Sequence, residues 1–275
     1  GTDGDPDERA ERGVVAFDNS GTVSDVVVEA VGFTDDGDFD RPVPAVTVDR
    51  PAALVNVAVD ALAVLDTDAP LGSVLADAED SIRLALSNAE TTAEEARRGT
   101  FADGVAPARP LFDAAERLRE RLRTEHGRGD ADPPVGIQLC VEPDAGTIHR
   151  GFAYASVPHE DAPEVLGTVR DCGFDVHIVS GDATHVLESV AGAVGVPTGN
   201  VHAYQSPRGK AETVSTLRER TDGPVVMVGD YVNDRLAFER ADRAVLVCHG
   251  AAPDPDLARR VDAVAGSLPD VLHRL

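Results

Sequence analysis

A chain of 275 residues can hold one α/β core with a smaller inserted body. Its formal net charge of -24, from 49 acidic against 25 basic residues, speaks against nucleic acid as a partner, because phosphate contacts need clustered Lys and Arg. The most apolar stretch, residues 51–65, is interrupted by Asn56 and Asp60, so nothing reaches the ~18 residues that a membrane span requires.

Residues 1–12 are polar and aperiodic, and a flexible N-terminus is expected there. The continuous apolar run 14–17 predicts a strand buried on both faces of a parallel sheet, ending at Asp18. From Asp25 the pattern changes. Strands are expected over 26–33 and 43–48, joined by an acidic turn, 34–40, that lacks the ligand spacing of a calcium loop. Helices follow over 73–88 and 111–123, with loops at 97–110 and 126–134. Residues 25–134 therefore read as an inserted α+β cap segment, with 13–24 and 135–275 forming the core. Beyond the insertion come a hairpin (135–141 and 151–157), a helix over 160–172, a buried strand over 176–179 and a helix over 183–194 stopped by Gly195. A short strand near Val201, a helix over 207–220, a strand over 225–228, a helix over 233–240, a strand over 244–248 and a last strand and helix complete the chain. This alternation predicts a doubly wound parallel sheet.

One lysine, no Trp and abundant Asp describe a protein suited to molar salt, where repulsion is screened within a few ångströms; the composition points to a halophilic archaeon. No secretory signal is legible, and a cytoplasmic location is expected. Cys140, Cys172 and Cys248 have no paired spacing and read as buried thiols, while His177 and His185 read as structural.

Open parallel sheets gather ligands at the carboxyl ends of their strands. Three apolar runs end there in Asp18-Asn19-Ser20-Gly21-Thr22, Ser180-Gly181-Asp182 and Gly229-Asp230-Tyr231-Val232-Asn233-Asp234. The only lysine, Lys210, follows Ser206-Pro207, an N-cap and a first-turn proline. A cation at that end of a helix is disfavoured by roughly 0.3 to 1 kcal/mol. An ammonium there makes sense as a compact charge between a carboxylate and a phosphate, where a planar guanidinium does not fit equivalently. The set suits phosphoryl transfer. Asp18 would attack phosphorus, Asp18 and Asp230 would hold Mg²⁺, and Asn233 and Asp234 would orient or complete the metal shell. Ser180 and backbone N–H groups near Gly21 would hold the phosphate oxygens, and Lys210 would neutralise them. Asp182 equally suits the N-cap of the helix at 183, Asn233 and Asp234 could serve as caps, and the pattern gives Tyr231 no role.

These four segments, with Pro-Arg-Gly-Lys at 207–210, resemble the ordered motifs of haloacid dehalogenase superfamily hydrolases, and the later ones resemble the phosphorylation domain of P-type ATPases. The resemblance covers 13–23 and about 136–275, roughly half the chain. It implies a Rossmann-like core with an insertion after the first motif and phosphorylation of Asp18. It also implies Mg²⁺ bound by Asp18, the Ser20 carbonyl and Asp230 with Asp234 nearby, and phosphate bound by Gly21, Thr22, Ser180, Gly181 and Lys210, supported by Asn233 and Asp182. Phosphatases of that superfamily carry an aspartate as general acid and base where this chain has Ser20. A serine hydroxyl is too weak an acid for that work, which is typically worth 10²- to 10⁴-fold, so slow dephosphorylation is expected. The expected activity is that of a phosphatase or phosphotransferase acting on a small phosphorylated metabolite. The alternatives are a regulatory module with a long-lived phosphoaspartate, or a P-type-ATPase-like protein without a membrane span. The oligomeric state is not legible.

Overall fold

The computed structural model describes residues 12–35, 51–58, 65–76, 82–87, 91–126 and 133–275. In chain order the strands are β1 (Val14–Phe17), β2 (Ser24–Gly32), β3 (Ala53–Val57), β4 (Ile82–Ser87), β5 (Gly136–Glu142), β6 (Thr147–Pro158), β7 (Asp175–Val179), β8 (Val201–His202), β9 (Val225–Gly229), β10 (Arg243–Val247) and β11 (Ala263–Ala265). The helices are α1 (Leu71–Ala76), α2 (Ala93–Ala102), α3 (Arg109–His126), α4 (Ala162–Asp171), α5 (Thr184–Val194), α6 (Pro207–Arg220), α7 (Arg235–Phe238) and α8 (Pro255–Ala258).

A six-stranded sheet in the order β11-β10-β9-β1-β7-β8 is parallel throughout, with β1 between β9 and β7. Side chains alternate across a strand, so a strand covered on both faces must be apolar at every position. β1 obeys this: Val15 and Phe17 join Val165, Leu166, Leu187 and Val190 on one face, while Val14 and Ala16 join Val214, Met227, Phe238 and Leu257 on the other. The expected doubly wound α/β fold is what the chain adopts.

A second sheet, five-stranded and antiparallel, runs in the order β2-β6-β5-β3-β4. Helices α1 to α3 cover one face, burying Val55, Leu71, Leu75, Leu111, Leu118, Ile137 and Leu139. The other face carries a smaller cluster of Ala52, Leu54, Ala85, Cys140 and Phe152.

Several expectations need correction. The hairpin formed by β5 and β6 belongs to the antiparallel sheet, paired with β3 and β2, so the chain re-enters the parallel layer after Pro158 rather than near 134. The helix expected over 73–88 is instead the short α1 and the strand β4, because 82–87 pairs with β3. The loop expected over 97–110 includes most of α2, which starts at a capping box between Thr92 and Glu95. The final helix is a 3-10 segment, Pro269–His273. Of the three thiols only Cys140 is buried; Cys172 is exposed. The expected strand over 43–48, the acidic turn beyond residue 35 and the N-terminus before Arg12 lie outside the described residues.

Candidate active site

The ends of β1, β7 and β9 converge with the start of α6. Ser206 caps α6, accepting from the Gly209 N–H at 3.1 Å, and so aims Lys210 inward from the first turn. The Lys210 ammonium, 1% exposed, lies 2.7 Å from Oδ1 of Asp18 and 2.7 Å from Oδ1 of Asp234. Its aligned hydrogen bond goes to Asp234, while Asp18 Oδ1 receives the charge without an aligned donor. Burial by itself would lower the lysine pKa, but the two carboxylates more than reverse this and hold the ammonium above its ordinary value. The other oxygen of Asp234 accepts the backbone N–H groups of Asp230 and Tyr231 at 3.2 and 3.3 Å. Asp234 is thereby fixed as a bridge between the β9 turn and Lys210.

Asp230 completes the acidic group: Asp18, Asp230 and Asp234 each offer an oxygen within 4.8 Å of the others. Burial, then the neighbouring carboxylates, push Asp18 up to about 7 and Asp230 up to about 8. Such crowding, which the nearby Lys210 charge only partly offsets at Asp230, is relieved by a hard divalent cation, and all the donors are oxygens. Asn233 adds a buried side-chain oxygen with no hydrogen-bond partner beside the same group. The donor set therefore fits Mg²⁺.

Gly21 is required where it stands. Its φ of 81° is left-handed, and a side chain there would run into the Asp230 carboxylate. Its N–H donates to the Ser24 carbonyl at 2.9 Å. Thr22 is fully buried, and its hydroxyl lies 3.4 Å from Asp230 Oδ1. Both residues shape the Asp230 side of the site.

Asp182 is not the helix cap that its position allowed, since the cap residue of α5 is Ala183 and no side chain caps it. Instead one oxygen of Asp182 accepts from Asn19 Nδ2, Ser20 Oγ and Ser180 Oγ at 2.8, 2.8 and 2.9 Å. It ties the first and second motifs together and leaves the Ser20 hydroxyl already committed as a donor.

The antiparallel sheet supplies contacts that sequence reasoning missed. Asn56, noticed only as an interruption of an apolar run, donates to the Gly181 carbonyl. Tyr154 accepts the Ala183 N–H at 2.9 Å, and Ser156 accepts from Asn19 at 2.9 Å. The polar residues Asn56 and Ser156 inside otherwise strand-like runs were the available signal; their partners lie more than 100 residues away. Between the two sheets lies a cavity of about 400 Å³, reached by Asp18, Ser20, Ser180, Gly181, Asp182, Asp230 and Asn233 from one side and by residues of β2, β3 and β4 from the other.

A family model described as haloacid dehalogenase-like hydrolase matches residues 13–242. Among curated relatives, a protein of Methanocaldococcus jannaschii named soluble P-type ATPase-like phosphatase is 26% identical over 194 residues, 70% of this chain and 67% of that protein. A probable copper-transporting ATPase of a Synechocystis strain is 29% identical over 137 residues, half of this chain; the chain spans 17% of that ATPase. A solved structure, a zinc-transporting PIB-type ATPase in its E2.Pi state, superposes with a TM-score of 0.44 at 17% identity, covering 94% of this chain and 40% of the transporter. No helix among the described residues is long and apolar enough to cross a membrane.

Proposed function

The chain belongs to the haloacid dehalogenase-like hydrolases, and from that premise we propose that it is a Mg²⁺-dependent phosphatase or phosphotransferase that works through an aspartyl phosphate on Asp18. The observation that carries this reading is the buried Lys210 ammonium 2.7 Å from Asp18, a carboxylate that lines the same cavity as Asp230. An ammonium held there lowers the cost of bringing a phosphate dianion against a carboxylate.

Mg²⁺, held by Asp18 and Asp230 with the Ser20 carbonyl and Asn233 nearby, would supply charge neutralisation between carboxylate and phosphate. The other tasks fall to the chain. Asp18 forms a bond to phosphorus as the bond to the leaving oxygen breaks. Ser180 and Gly181 face the transferred group, Lys210 offsets its negative charge, and Asp234 positions Lys210. Water then attacks the phosphoaspartate, and inorganic phosphate leaves.

Ser20 has no acidic proton to give and no basic form to take one, and its hydroxyl already donates to Asp182. This favours slow breakdown of the phosphoenzyme and keeps a second reading open, a regulatory module whose phosphorylated state persists. The copper-transporting relative brings a third, ATPase-like reading. We take the inserted body as 24–158, the span of the antiparallel sheet, and we place the protein in a high-salt cytoplasm on its acidity.

The test is phosphate release from phenyl phosphate in concentrated KCl, with and without Mg²⁺. Release should require Mg²⁺ and vanish in Asp18→Asn. Activity that survives Asp18→Asn would remove Asp18 as nucleophile, and a hydroxylamine-sensitive label that accumulates on Asp18 without release would favour the regulatory reading.

A further inference from the structure

The wall of the cavity opposite the carboxylates is apolar and partly bare. Along β2 the side chains alternate: Val27 and Val31 pack under the helices, whereas Val26 and Val28 point to the other face and stay 40% and 41% exposed. In register, Val28 lies opposite Tyr154 and Val26 opposite Ser156, the residues whose hydroxyls reach the α5 start and Asn19, so this face is the one turned to the site. Leu54 of β3 and Leu86 of β4 extend the wall, and Tyr231, which the sequence left without a role, stands across from it at 39% exposure. On a protein of net charge -24, three of the five exposed large hydrophobic side chains among the described residues, Val26, Val28 and Tyr231, thus line this one cavity, Val105 and Val232 being the others. Patches of that kind mark ligand sites.

The charge of the lining is equally one-sided. Among the described residues that line the cavity there is no Lys, Arg or His, while Asp18, Asp25, Asp182 and Asp230 are all present. Lys210, in contact with Asp18, is buried and already shared by two carboxylates. Among the described residues the site can therefore neutralise one phosphoryl group and offers no cationic side chain to a second anion.

Resting on the phosphatase reading above, we infer that the substrates are phosphate monoesters of uncharged, predominantly apolar alcohols or phenols, and that esters carrying a further carboxylate or phosphate, nucleoside di- and triphosphates included, are rejected. The reaction is ester plus water giving alcohol plus inorganic phosphate. The phosphorus–oxygen bond to the alcohol is the one that breaks, and the alcohol takes its proton from solvent.

The experiment has two arms on the full chain in KCl with Mg²⁺. Calorimetric binding compares phenylphosphonate with 4-carboxyphenylphosphonate, which cannot be hydrolysed. An extra carboxylate about 6 Å from the site's oxygens, at an effective dielectric near 20, would cost on the order of 10²-fold before salt screening. Salt reduces this factor, and phenylphosphonate should bind about twofold to tenfold more tightly, the gap widening as KCl is lowered. Val28→Arg, a change at an exposed position on the apolar wall, should bring the two affinities together. Equal or tighter binding of the carboxylated analogue, or binding of neither, overturns the inference. Turnover of phenyl phosphate and its loss in Asp18→Asn is the separate arm: failure there overturns the phosphatase reading, whichever analogue binds better.

Discussion

Lys210 carries two duties that one substitution exposes together. Its ammonium neutralises Asp18 and Asp234, both almost fully buried. Removing one member of such a group leaves uncompensated buried charge, so Lys210→Met should lower unfolding free energy by about 3–5 kcal/mol in chemical denaturation as well as abolish turnover. Lys210→Arg should not restore activity, because a planar guanidinium cannot occupy the same point between two carboxylates. The acidic group makes a second prediction, with a definite sign. In the metal-free protein Asp18 is raised from an ordinary 3.8 to about 7 and Asp230 to about 8. Between about pH 4 and 8 the folded state therefore binds more protons than the unfolded chain, and stability falls as pH rises through that window. A cation that binds the ionised pair stabilises most where the repulsion is greatest. Mg²⁺ should raise the melting temperature more at pH 8 than at pH 5, and a larger effect at pH 5 would remove these carboxylates as the metal site. At this scale much was legible: Asp18, Ser180, Lys210, Asp230 and Asp234 were singled out from strand ends and one helix start, and the structure brings them together. The orientations of Gly21, Thr22 and Asp182 were not legible, because each is decided by a partner, Ser24, Asp230 and the Asn19-Ser20-Ser180 donors, that only the folded turn selects.

Elements reach the site through a few cross-links between layers. The Tyr154 hydroxyl on β6 accepts the N–H of Ala183 at the head of α5, and Tyr154, Ala183 and Val186 pack as a small buried cluster at the same joint. Tyr154→Phe keeps that packing but leaves the Ala183 N–H buried without an acceptor, a change worth about 1–3 kcal/mol. The loop just before it holds Ser180, Gly181 and Asp182. Tyr154→Phe should thus lower kcat while denaturation shows a loss within that range, and an unchanged kcat would mean that the antiparallel sheet does not position the second motif. The misread elements explain why this joint stayed hidden. In 82–87, Leu84, Ala85 and Leu86 are helix-compatible residues, yet the segment pairs with β3 across a register shift between Leu54 and Val55, and tertiary pairing overrides propensity. The hairpin of β5 and β6 was correctly read as two strands, but alternation fixes which faces a strand has, not which sheet it joins.

The whole molecule sets the conditions under which any of these measurements can be made. A net charge of -24 on 275 residues is a self-repulsion that no internal pairing offsets, and nearly every basic residue is an Arg. Some of these arginines meet acids at the surface, Arg121 with Glu29 at 2.7 Å and Arg218 with Asp242 at 2.7 Å among them. Exposed pairs of that kind contribute only about 0–1 kcal/mol each and weaken in salt. Two opposite dependences on ionic strength follow. If local pairs dominated, added KCl would destabilise the fold. If global repulsion dominates, shrinking the Debye length from about 10 Å at 0.1 M to about 3 Å at 1 M should stabilise it. The acidic excess of 24 charges far outnumbers what the pairs can compensate, so the melting temperature should climb steeply between 0.1 and 1 M KCl and more gently beyond, where screening is already shorter than the spacing between surface charges. A flat or falling curve over that first interval would show that the acidity serves something other than solvent adaptation. It would also reopen the charged wall of the cavity as a surface whose repulsion is felt by substrates at every salt concentration.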